Sequence, residues 1–121
     1  MYEWLAVAIG GALGAMLRFG LQKLFVGSLF PWGTFVVNAI GSLLIGLLFV
    51  WMVERGLAVD WLRAMMITGL LGALTTFSTF SLDSIRLLQM GEWNMLITNI
   101  LGQVIVCLLL TWLGIQLARL F

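Results

Sequence analysis

The residues best placed to do chemistry are polar side chains at helical spacing inside apolar sequence. Thr34, Asn38 and Ser42 recur at i, i+4 and i+8, with Gly46 next in the series, a spacing that aligns them as one narrow stripe on a helix. Asn38 stands out, because a mid-membrane amide must find partners and its two N–H donors suit it to replacing water around an anion. Asn99, Gln103 and Cys107 repeat the device. Two amides on one face read equally well as a wetted track or as a polar seam between helices. Phe77 and Phe80 flank Ser78 and Thr79 in TTFSTF; at i and i+3 the rings share a face, and the positive ring edges of an aromatic pair can line a path for a small anion. Asp83 is the deepest acid, three residues from Arg86, and reads either as that arginine's ion-pair partner or as part of the polar track.

What must position these groups is a membrane-embedded scaffold. Of 121 residues, 63% are hydrophobic and 9% charged, where a soluble domain carries roughly a quarter charged. The expected fold is an all-α integral membrane protein with four transmembrane helices, about residues 4–25, 33–53, 61–88 and 95–117, forming one domain over residues 1–121. Each is about 20 residues or longer, enough to cross roughly 30 Å of hydrocarbon. The first is too long for a signal-peptide core and reads as a retained helix. Pro31 suits the opening of the second. The third should break, because its middle, Gly69 to Phe80 (GLLGALTTFSTF), is rich in Gly, Thr and Ser, and irregular backbone inside a membrane persists only where protein or trapped water satisfies it. Ala6, Gly10 and Gly14 form a small-residue stripe for close helix packing.

With no His and one Cys (Cys107), the chain cannot supply an internal disulfide, a Cys/His zinc site or a histidine base. Its net charge of +1 offers no basic field for nucleic acid. Four spans place both termini and the Glu54–Asp60 loop on one side. Arg55, Arg63 and Arg119 lie towards that side, while Arg18, Lys23 and Arg86 lie towards the other. Loop charge sets orientation, so this balance favours insertion both ways and an antiparallel, dual-topology homodimer. If Arg18 and Arg86 lie too deep to count, the first side faces inward.

Four stretches together resemble the Fluc family of bacterial fluoride channels: GGALGAMLRF (Gly10 to Phe19), WGTFVVNAIGSLLIG (Trp32 to Gly46), GLLGALTTFSTFSLD (Gly69 to Asp83) and, more weakly, NILGQVIVCLLLTWLG (Asn99 to Gly114). The third is the specific one. The resemblance implies an antiparallel homodimer in the bacterial plasma membrane, two fluoride pathways and a central structural sodium ion. Phe77 and Phe80 match the family's paired phenylalanines, and Asn38 its pore-facing asparagine. Thr34 with Asp83 matches a threonine and an acid of the polar track, to which Ser78, Thr79, Asn99 and Gln103 are also assigned. Arg18 matches a vestibule arginine, and the sodium-binding carbonyls fall on Gly72 and Thr75. Carbonyl oxygens suit a hard cation. Two departures from the family pattern are Ala73, where a second Gly is common, and Gln103, where a hydroxyl is common. The function implied is passive, fluoride-selective conduction without covalent chemistry. A small multidrug transporter would need an acid buried in the first span, which instead carries Arg18, and a non-conducting scaffold would leave polar stripes in three spans unexplained.

Overall fold

The computed structural model describes residues Met1–Phe121. It is helical throughout, in the order α1 (Tyr2–Lys23), α2 (Trp32–Leu48), α3 (Asp60–Arg63), α4 (Gly72–Leu74), α5 (Phe77–Gln89) and α6 (Trp93–Leu120), with π-helical stretches at Phe49–Glu54 and Ala64–Leu71. These elements make four helices long and apolar enough to cross a membrane: Tyr2–Lys23, Trp32–Glu54, Asp60–Gln89 and Trp93–Leu120. The fourth runs three residues past its expected end, and the extra turn has partners: Arg119 pairs with Glu54 at 2.6 Å and Arg55 Nη2 donates to the Ala118 carbonyl at 2.9 Å. Pro31 sits one residue before α2 as its cap, and its carbonyl accepts the Phe35 N–H. Gly91 closes α5 with φ +73°; its N–H and that of Glu92 return to the carbonyls of Leu88 and Leu87, the paired bonds of a glycine-terminated helix end.

The third span breaks within the stretch that its composition marks, at two residues. Thr75 and Thr76 are both extended, with ψ of 156° and 120°. Hydroxyls hold the break from both sides. Thr75 Oγ1 donates back to the Leu71 carbonyl at 2.9 Å, and Thr76 Oγ1 caps α5 by accepting the Thr79 N–H at 3.2 Å, which satisfies one of the orphan donors of a helix start.

Only 20 residues are buried within the single chain, so most apolar side chains face outward, as lipid or a partner requires. The internal packing is largely backbone against backbone. Ala6, Gly10 and Gly14 are the buried face of α1, as their spacing suggests, and they lie against the π-helical part of the third span. A Cβ on Gly10 would strike the Met65 carbonyl, and one on Gly14 the Leu70 carbonyl. On the other side of the molecule α2 packs along α6, where Gly46 faces Gly114 so closely that a side chain on either would collide with the opposite backbone. Between these layers sits a small core of Val37, Leu71 and Leu74.

Candidate functional site

An open cavity of about 420 Å³ lies beside the break, walled by α2, both halves of the third span and α6. Asn38, Ser42, Phe77, Phe80, Gln103 and Cys107 line it, together with Gly72 of α4 and the extended Thr75. Residues picked out on three separate spans are thus brought to one wall. A second cavity, of about 530 Å³, with Glu3, Asp60 and Arg63 among its lining, shares Ile45 and Ile67 with the first. The Phe77 and Phe80 rings are 5.4 Å apart between centroids and tilted by 49°. Phe77 is 78% exposed on the single chain, so its ring has no packing duty there.

Asn38 is the structural centre. Its Oδ1 accepts the Thr76 N–H at 2.8 Å, while its Nδ2 donates both to the Thr76 carbonyl at 3.1 Å and to Gln103 Oε1 at 2.7 Å. One side-chain amide therefore engages both main-chain polar groups of Thr76, and so satisfies the N–H that the break strips of its helical partner, as the membrane interior demands. Gln103 Nε2 in turn donates to Asn99 Oδ1 at 2.9 Å, Asn99 Nδ2 to Ser84 Oγ at 3.0 Å, and Ser84 Oγ to the Phe80 carbonyl at 2.8 Å. No buried side-chain nitrogen or oxygen is left without a partner.

The stripe on α2 divides its labour. Thr34 Oγ1 donates to Asp83 Oδ2 at 2.7 Å, Asn38 holds the break, the Ser42 carbonyl accepts from Thr111 Oγ1 at 3.0 Å, and Gly46 admits α6. Asp83 accepts its hydrogen bond from Thr34, and no ion pair joins it to Arg86. Arg18 is half-buried without an acidic partner. Thr34, Ser78, Thr79, Asp83 and Asn99 stand outside the cavity wall; Ser78 and Thr79 hydrogen-bond to Thr76 Oγ1 instead, and Asn99 is fully buried. Two residues that matter escape a reading by spacing, Thr76 and Ser84. The first carries a partial signal, a residue type favoured as an N-cap just ahead of a helix, shared with the other hydroxyls around it. The second carries none, since its partner Asn99 belongs to another span.

The turn also bears on a cation. The Thr76 N–H, which in a continuous helix would bond the Gly72 carbonyl, goes to Asn38, and the extended Thr75 carries its own carbonyl out of the helical direction. Gly72 and Thr75 both border the cavity, and no cluster of His, Cys, Asp or Glu side chains competes as a metal site. Oxygen donors at the negative end of a terminated helix fit a hard monovalent cation.

Fold and site together define a small multi-pass membrane protein whose third span is broken at a polar, aromatic-lined cavity. Residues 5–115 match the family model described as CrcB-like protein, Camphor Resistance (CrcB), and the chain belongs to that family. Among its relatives, a protein of Magnetococcus marinus is 43% identical over 94% of this chain and 95% of its own length. One from Geobacter metallireducens is 46% identical over 98% of both, and one from Pseudoalteromonas translucida is 46% identical over 92% of this chain and 95% of its own. Each of the three bears the name fluoride-specific ion channel FluC.

Proposed function

We propose that the chain is a fluoride-selective channel that lets fluoride leave the cell passively across the bacterial plasma membrane, working as an antiparallel homodimer about a structural sodium ion. The observation that carries this reading is the convergence of Phe77, Phe80, Asn38 and Gln103 on one cavity at the broken span. Fluoride is small and strongly hydrated, so a pathway must replace its water with several weak donors, because one strong site would retain it. Ring edges and amide N–H groups are such donors, and none carries a full charge. The second N–H of Asn38, now spent on Gln103 Oε1, is the one for which an arriving fluoride competes. Thr34, Asp83, Ser78 and Thr79 flank the route as polar lining, and Arg18 draws anions towards its mouth. The names of the relatives support fluoride as the ion.

Gly72 and Thr75 offer a hard cation two backbone carbonyls; an inverted second copy would bring that set to four and would cover the outward-facing Phe77. Bound there, sodium supplies fixed positive charge near the anion route. Purified protein in liposomes should release fluoride, with little chloride and no quaternary cation. Efflux of the quaternary cation would make it a multidrug transporter, and no flux at all would make it a scaffold. A tag at the C-terminus should react from both faces of the membrane; labelling from one face alone would overturn the antiparallel assembly.

A further inference from the structure

We infer that Asn99 and Ser84, which touch no part of the cavity, are positioning residues that set the selectivity of the pathway through a one-way hydrogen-bond relay. The inference rests on the fluoride-channel reading and deepens it. From Thr76 N–H the donors run to Asn38 Oδ1, from Asn38 to Gln103 Oε1, from Gln103 to Asn99 Oδ1, from Asn99 to Ser84 Oγ, and from Ser84 to the Phe80 carbonyl. The relay leaves the third span at Thr76, passes through α2 and α6, returns to the third span at Ser84 and ends on the Phe80 carbonyl, one helical turn after Thr76. That turn carries both Phe77 and Phe80.

The ends dictate the direction of everything between them. A main-chain N–H can only donate and a carbonyl can only accept, so turning any one amide over would set donor against donor or oxygen against oxygen at the next link. Such a chain is cooperative, because each bond polarises the next in a low-dielectric interior. Its inner members are nearly inaccessible: Asn99 is 0% exposed and Ser84 6%. They therefore act on an ion only through Gln103 and Asn38, and their work is to hold the Asn38 amide and the ring-bearing turn in register.

The test uses the full dimer in two measurements, the fluoride-to-chloride flux ratio in liposomes and the hydrogen-exchange rate of the Thr76 amide. Asn99→Leu fills similar volume without the amide, and Ser84→Ala removes only a hydroxyl. In each, Thr76 exchange should speed up about tenfold and the flux ratio fall about tenfold, the scale of one lost hydrogen bond. Ser84→Thr, which keeps the hydroxyl that accepts from Asn99 and donates to the Phe80 carbonyl, should hold both to within about twofold of the parent. In an Asn38→Ser background, Asn99→Leu should add nothing, since the link through which it acts is gone. Unchanged exchange and selectivity in a folded Ser84→Ala dimer would overturn the relay, as would effects of Asn99→Leu and Asn38→Ser that simply add. Should Asn99→Leu fail to fold, Ser84→Ala decides the matter. A parent that passes no fluoride would sink the channel reading, and the exchange measurement would then decide the relay by itself.

Discussion

Phe77→Ile and Phe80→Ile are each expected to cut fluoride efflux on the order of tenfold or more while the dimer still assembles. Isoleucine replaces most of the apolar volume but has no quadrupole, so it offers an anion no positive edge. Phe77 makes the sharper test. Its ring is 78% exposed on the single chain, so its loss costs the fold of that chain little, and a fall in flux cannot be put down to an unfolded subunit. Phe80 is half-buried and heads the turn whose carbonyl Ser84 holds, so its replacement should lower both flux and thermal stability. The check is single-vesicle or electrode-read efflux from liposomes with counted dimers. Parent-like rates in both variants would return the rings to packing and move the pathway elsewhere.

Asn38→Asp should be the most damaging single-atom exchange in the molecule, and worse than Asn38→Ser. The Nδ2 atom of Asn38 donates to two oxygens, the Thr76 carbonyl and Gln103 Oε1. A carboxylate oxygen in its place would face both as acceptor against acceptor, and its charge would repel the anion besides. Loss of flux on the order of a hundredfold follows from a buried polar group left in conflict, against about tenfold for serine, which withdraws the amide's donors and acceptor without adding a charge. Measured efflux decides the order. Equal loss in the two variants would mean that Asn38 acts as a spacer and that its hydrogen bonds are incidental.

How much of this was legible beforehand depended on the range of the interaction that decided it. The four spans follow from local hydropathy, and the second, expected at 33–53, spans Trp32–Glu54. The break is legible to the stretch Gly69 to Phe80 because glycine and hydroxyl residues weaken a helix wherever they cluster. Its placement at Thr75 and Thr76 is not, since several hydroxyls there can cap, and the choice is made by the amide of Asn38 arriving from another helix. The π-helical run Ala64–Leu71 escapes for the same reason: it lies against the glycine face of α1, which leaves no periodic trace in its own sequence. Phe77, Phe80, Asn38 and Gln103 were visible as types at spacings, and they do share a wall. Asn99, read as track or seam with equal weight, is buried in the seam. Ser84 is not legible at all, because a serine inside a helix gives no sign of its partner until the fourth span is in place.

The separation in sequence of the Asn38–Gln103 bond, 65 residues, also dictates a timetable. Spans enter a membrane in order, and contacts between distant residues form last because the chain between them must first be closed. Until α6 has entered, Asn38 lacks its Gln103 acceptor and Ser84 its Asn99 donor, so the ring-bearing turn of a half-made subunit is not yet held. A chain cut short before its final span would keep its phenylalanines but lack the bonds from α6 that tie their turn to α2.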